Sequence, residues 1–344
     1  MEKIAIIAEY NPFHKGHRHQ IEEIRKNHPN VALIAIMSGN AVQRGEFAIT
    51  DKFTRTETAL KQGIDVVVEL PVYYSVNGAN EFAMGALEII NYFKISTICF
   101  GSESNNKQFL ETASDKVNAN LIELKKLVKK TNSYPKSIEQ LIGKKLAAND
   151  ILALCYLKEI KLANYKINYL LIKRNNDQYQ TASKIRNEIT QGKKVDDNLT
   201  KINNPIIMDD YSDLIIGKII STKTDDPTIK YLQNIIKNNN ITKFSTLVNE
   251  AANNSLTQAT IRRKILRWTL EISNTSYLVP RILGVTKKGQ TILKEWKKEG
   301  LSFNTKISKH YQNEINLANF IELKHQGTKQ KELSSLIIKE KDEF

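Results

Sequence analysis

Two histidines three residues apart carry the first chemical signal in the chain. They stand in Glu9-Tyr10-Asn11-Pro12-Phe13-His14-Lys15-Gly16-His17, directly after an apolar, β-branched run. Pro12 stiffens the turn, and Gly16 removes a side chain where backbone must approach a ligand. If a helix opens here, its free N–H groups and positive dipole end form an anion site. Residues three apart on a helix project to one side. Two imidazole donors there suit a triphosphate, stabilising charge on the α-phosphate as pyrophosphate departs. Two other readings stay open. His14, His17 and His19 could ligate a metal, although no carboxylate or cysteine completes a familiar spacing. The pair could also be structural histidines satisfied at a helix start.

The elements that must position this segment follow from periodicity. Short apolar runs at 3–8, 31–37, 66–70, 95–101 and 168–173 read as strands. Amphipathic stretches at 17–26, 51–62, 81–93 and 105–130 separate them. Unbroken apolar strands such as Val66-Val67-Val68 suit a parallel sheet covered on both faces. The alternation predicts a doubly wound, Rossmann-like α/β domain, with ligands beyond the carboxyl ends of its strands. A polar breaker, Gly192-Lys193-Lys194-Val195-Asp196-Asp197-Asn198, marks a change. After it the pattern is mostly helical, at 211–221, 229–238, 257–272, 288–298 and 314–325. We therefore divide the chain into an α/β catalytic domain, residues 1–192, and a mostly helical, basic domain, residues 193–344.

Composition narrows the function class. The 344 residues carry 51 Lys+Arg against 37 Asp+Glu, a formal charge of +14. Such a surface attracts polyanions. The excess is local: residues 257–310 hold 12 basic and 3 acidic groups, whereas 196–256 hold 6 and 8. Arg262, Arg263, Lys264 and Arg267 form the core of the basic block, with Trp268 and Trp296 interleaved. This is either a nucleic-acid surface or a solvated helix face over two core tryptophans. Two cysteines allow no disulfide framework, which points to a reducing, cytoplasmic setting. No apolar run is long enough for a membrane span.

Five blocks raise the His motif above an isolated match. They are Ala8 to His17, Met37-Ser38-Gly39-Asn40-Ala41-Val42-Gln43-Arg44-Gly45-Glu46, Asp51-Lys52-Phe53-Thr54-Arg55, Glu69-Leu70-Pro71-Val72-Tyr73-Tyr74-Ser75-Val76 and Cys99-Phe100-Gly101-Ser102-Glu103. In order and spacing they resemble the bacterial tRNA(Met) cytidine acetate ligase family, within the HIGH-type nucleotidyltransferase superfamily. The resemblance covers about the first 190 residues. The chain departs from that family where Ala153 stands for a glycine and Phe47 for a smaller residue or proline.

The resemblance implies an ATP site. Its loop would comprise Ile7, Ala8, Glu9, Tyr10, Asn11, Pro12, Phe13, His14, Lys15, Gly16, His17, Arg18, His19 and Gln20, with His14 and His17 catalytic on the phosphates. Gly101 would lie against the adenosine, with Asn149 and Arg174 at the nucleotide. Thr181-Ala182-Ser183-Lys184-Ile185-Arg186 is similar to the superfamily's second phosphate motif, placing Ser183 and Arg186 near phosphate, with Ser183 alternatively only a helix cap. Lys15, Arg44 and Lys52 are further cations for phosphate or RNA. The implied reaction joins acetate to ATP as acetyl-adenylate. Acetyl then passes to the exocyclic amine of the wobble cytidine of elongator tRNA(Met), with Mg²⁺ on the phosphates. Arg262, Arg263, Lys264 and Arg267 would hold the anticodon stem. Two alternatives remain: a small-molecule adenylyltransferase of the same superfamily, and a non-catalytic RNA-binding protein.

Overall fold

The computed structural model of the chain describes residues 1–174, 178–253, 256–273, 279–333 and 336–339. Nine strands are present among them: β1 (Lys3–Ala8), β2 (Ala32–Ser38), β3 (Ala41–Val42), β4 (Glu46–Phe47), β5 (Val66–Leu70), β6 (Thr97–Ser102), β7 (Asn168–Lys173), β8 (Ile282–Thr286) and β9 (Ile337–Lys339). Seven form one sheet in the order β7-β6-β1-β2-β5-β8-β9, and β3 and β4 make a separate short hairpin. The five strands expected from apolar periodicity are there and mutually parallel. β2 and β5 are buried at every position, as a sheet covered on both faces requires.

β1 is central, and the chain leaves it first to β2 on one side and later to β6 on the other. That reversal opens a crevice beyond the carboxyl end of β1. One face of the sheet packs against helices Ala79–Tyr92 and Ala148–Leu162. The other packs against Lys15–Asn27 and Lys52–Lys61 through Ile21, Ile24, Phe53, Ala59 and Leu60. Each of the larger ones, the isoleucines, Phe53 and Leu60, contributes roughly 1.5–3 kcal/mol on burial. The stretch expected as one helix over 105–130 is two, Lys107–Ala119 and Leu121–Thr131.

A further apolar core gathers helices Ser212–Ser221, Pro227–Asn239, Phe244–Ala251 and Gln258–Thr269, and it includes Phe47, Val72 and Val76 from the first half. The second half also supplies two strands that periodicity did not reveal. β8 pairs antiparallel with β5, and β9 runs parallel to β8. All five β8 residues are buried, but Gly284 interrupts its apolar run where β5 has unbroken valines. At Gly284 a Cβ would lie 2.6 Å from Thr56 Cγ2, so only glycine lets helix Lys52–Lys61 cross β8 this closely. Among the described residues, no helix is long and apolar enough to cross a membrane.

Candidate active site

Helix Lys15–Asn27 begins where the loop after β1 returns to the sheet, with His14 as its N-cap. The His14 Nδ1 accepts from the Gly16 N–H at 3.1 Å, and the His17 Nδ1 accepts from the His14 N–H at 3.2 Å. These bonds satisfy two N–H groups that the helix cannot pair itself. They also set the tautomer: a neutral ring that accepts at Nδ1 carries its proton at Nε2. The rings lie 3.8 Å apart, tilted by 30°. Burial and Arg174 push the His14 pKa down to about 4, and burial with His14 and Arg174 holds His17 well below its usual value. Near neutral pH the pair is therefore uncharged, with two Nε2–H donors. The structural reading holds at the Nδ1 atoms.

The loop is strapped from several directions. Lys15 N–H donates to Asp197 O at 2.9 Å, Leu199 N–H to Phe13 O at 3.0 Å and Phe13 N–H to the Thr200 hydroxyl at 3.1 Å. Arg55, fully buried, donates to the carbonyls of Glu9 at 2.6 Å, Ser38 at 3.1 Å and Thr50 at 3.2 Å, and to that of Gly39. It thus ties together the carboxyl ends of β1 and β2. Tyr10, at φ +47°, turns its ring inward against Phe13, and both rings are core. Their side chains are therefore taken up by packing. Pro12 follows a cis peptide bond.

The crevice beside this loop is lined by His14, Gly16, His17, His19, Gln20, Gly101, Ile172, Lys173, Arg174, Tyr179 and Gln180. Seven of these come from the sequence reading. At Gly101 a Cβ would sit 2.9 Å from Arg174 Cγ, so the missing side chain makes room for this arginine. Arg174 reaches Asn149 Oδ1 at 3.4 Å, Asn149 donates to Glu103 at 2.5 Å, and the Arg174 Nε lies 3.8 Å from Glu103. Sequence reasoning gave Glu103 no role, although its block was recognised. A larger cavity, about 200 Å³, is lined by Glu69, Tyr74, Glu88, Arg281, Tyr311 and others. It contains neither histidine, so chemistry selects the smaller crevice.

The HIGH Nucleotidyl Transferase family profile matches residues 1–342. A tRNA(Met) cytidine acetate ligase from Fusobacterium nucleatum is 33% identical over 338 residues, covering 86% of this chain and 85% of its own. One from Mesomycoplasma hyopneumoniae is 42% identical over 183 residues, 51% of this chain and 58% of its own. The chain belongs to the tRNA(Met) cytidine acetate ligase family. It is thereby an enzyme of the ligase class. The crystal structure of Thermotoga maritima TmcAL bound with alpha-thio ATP superposes with a TM-score of 0.85 at 23% identity, over 98% of this chain and all of that one, which establishes the shared fold.

Against this family background several expected residues take other positions. Ser183 is not the helix cap: Thr181 accepts from the Lys184 N–H, and the Ser183 hydroxyl accepts from Arg186 at 3.3 Å. Arg186 also donates to Asn11 O at 2.8 Å, which holds the loop from behind. Lys52 is no surface cation. Its side chain is 1% exposed and pairs with Glu69 at 2.5 Å and Glu332 at 2.7 Å. Phe47 packs against Tyr211 and Phe320, and Ala153 is buried, so both departures from the family serve packing.

The basic block is not one face. Arg262 pairs with Glu46 at 2.7 Å, Arg263 donates to Gln43 O at 3.2 Å, and Lys264 pairs with Asp226. Arg267 donates to Tyr73 O at 3.0 Å and lies over the Tyr73 ring. The three arginines dock helix Gln258–Thr269 onto the β3–β4 hairpin and the segment after β5, while Lys264 ties it to the start of helix Pro227–Asn239. Helix Lys287–Lys298 starts at the opposite edge. Lys288 reaches Val31 O at 2.7 Å before β2, and Glu295 pairs with Lys3 at the start of β1. Trp296 is core, stacked 3.9 Å from Phe93. The block is contiguous in sequence and divided in space by the antiparallel entry of β8.

Proposed function

We propose that the chain activates acetate with ATP and passes the acetyl group to the exocyclic amine of the wobble cytidine of elongator tRNA(Met). The observation that carries this is the imidazole pair: two neutral rings, each holding its proton at Nε2, at a helix N-terminus in the crevice of the sheet. Neutral donors suit this step. They bond to phosphate oxygens as charge builds and do not bind pyrophosphate so tightly that it stays.

In the first step an acetate oxygen attacks the α-phosphorus, and the bond to the β,γ-diphosphate breaks. His14 and His17 hold the departing oxygens, with Arg174 beside them and Asn149 and Gly101 toward the adenosine. Fixed donors in a structured loop supply catalysis by positioning and charge stabilisation, without a covalent enzyme intermediate. Among the described residues no cluster of three His, Cys, Asp or Glu could hold a metal ion. Mg²⁺ would arrive on the ATP phosphates and offset their charge. In the second step the cytidine amine attacks the acetyl carbonyl and AMP leaves. The names borne by the related ligases support this choice of tRNA and acyl group.

For tRNA, the cations at the crevice edge are better placed than the distant helix Lys287–Lys298. Arg44, which is exposed, and the outer edge of Arg262 flank the hairpin there. Phosphate contacts of this kind give salt-dependent, sequence-independent affinity. The test is isotope exchange between labelled pyrophosphate and ATP. It should depend on acetate and occur without tRNA. Exchange that ignores acetate but responds to a mononucleotide would favour the small-molecule adenylyltransferase. Absence of ATP binding would favour a non-catalytic RNA-binding protein.

A further inference from the structure

The loop after β1 has two sides. His14, His17, Gly101 and Arg174 line the crevice on the side toward β6 and β7. The β3–β4 hairpin and helix Ala182–Thr190 bond to the loop on the side toward β2. Glu9 is the first residue beyond β1, at the boundary between them. Its main-chain carbonyl is fixed by Arg55 at 2.6 Å, and its Oε1 accepts from the Gln43 N–H at 2.8 Å. The carboxylate is thus turned toward the hairpin, away from Gly101 and Arg174. Burial raises its pKa, opposed by Arg186, Arg44 and Arg55 nearby.

A carboxylate has the wrong charge to receive ATP or acetate. Beside this loop its natural partner is a group that brings protons. We propose that Glu9 accepts the proton of the exocyclic amine that takes the acetyl group, on the hairpin side of the loop. This rests on the reading of the ATP site given above. An amine conjugated with a pyrimidine ring is a weak nucleophile, because its lone pair is delocalised. A carboxylate accepting its N–H returns electron density to nitrogen as the bond forms. The nitrogen bonds to the acetyl carbon, and the tetrahedral centre collapses. The carbon–oxygen bond to phosphate breaks, AMP takes the electron pair, and the amine proton passes to Glu9 and then to water.

The experiment compares two half-reactions in the full-length chain. Acetate-dependent pyrophosphate exchange reports adenylate formation, and transfer of labelled acetate to a tRNA(Met) transcript reports the second step. Glu9→Gln keeps the shape and the Gln43 contact but cannot take a proton. The ratio of transfer to exchange should fall at least about a hundredfold, and Glu9→Asp should recover part of it. An unchanged ratio, whether both activities fall together or neither does, would make Glu9 a purely structural carboxylate and overturn the proposal. Loss of acetate-dependent exchange in the unaltered chain would instead overturn the reading of the ATP site beneath it.

Discussion

At the scale of single residues, the account turns on which nitrogen does what. The Nδ1 atoms of His14 and His17 belong to the helix start, and in the proposed mechanism the Nε2 atoms serve the phosphates. His14→Ala or His17→Ala should therefore lower acetate-dependent exchange by about 10²–10³, the usual effect of removing one transition-state donor. A His14→Asn variant should retain the cap but not the activity, since asparagine is a good N-cap. Circular dichroism and exchange assays on the same samples would separate the two roles. The depressed pKa values also set a pH dependence. The unfolded histidines titrate near 6.5, and folded His14 near 4. The unfolded state thus binds more protons below pH 6.5. The contribution of each ring is intact above that pH and declines as pH falls toward 4, by at most about 1.4 kcal/mol per unit per histidine. Urea unfolding at pH 7.5 and 5.0 should show this loss, and the double alanine variant should show less of it.

At the scale of elements, legibility followed apolar periodicity. The five parallel strands and the helix after β1 were readable because continuous Val and Ile runs and the His-Lys-Gly-His segment are local signals. β8 was not, because Arg281-Ile282-Leu283-Gly284-Val285 pairs with a strand more than 200 residues earlier, and nothing local specifies that register. The straps on the phosphate loop were hidden for the same reason. Asp197 lies in the polar breaker and Thr200 just beyond it, and Arg55 reads as one cation on an amphipathic helix. Yet Arg55 joins the ends of β1 and β2 through four carbonyls. Arg55→Met should destabilise the chain by about 3–5 kcal/mol, because those carbonyls lose a buried, charged partner. Gly45 is a second such element. At φ +76° a Cβ would meet the Arg263 backbone N at 2.3 Å. Gly45→Val should push helix Gln258–Thr269 off the hairpin, seen as faster amide exchange in 258–269 while β1 and β2 stay protected.

At the scale of the whole molecule, the two halves are interlocked. The second half contributes β8 and β9 to the sheet, and the first contributes Phe47, Val72 and Val76 to the helical core. A buried ionic cluster marks the seam: Lys52 and Arg281 face Glu69 and Glu332, all nearly inaccessible. Removing one member leaves a buried charge unpaired, so Glu332→Ala should cost about 3–5 kcal/mol and release β9. Thermal unfolding with limited proteolysis near the C-terminus would register both. The division of the basic block has its own consequence. Charge reversal at Lys294, Lys297 and Lys298, at the edge away from the crevice, should leave tRNA affinity nearly unchanged. Arg44→Glu should weaken it severalfold and flatten its dependence on salt. Gel-shift titrations at two ionic strengths would distinguish these outcomes.

The most direct test of the central claim is a crystal structure of the chain with a non-hydrolysable ATP analogue. Phosphate oxygens should lie within about 2.7–3.1 Å of both His14 Nε2 and His17 Nε2, with the adenosine against Gly101. Phosphates bound elsewhere, or either Nε2 engaged by the protein core, would contradict it.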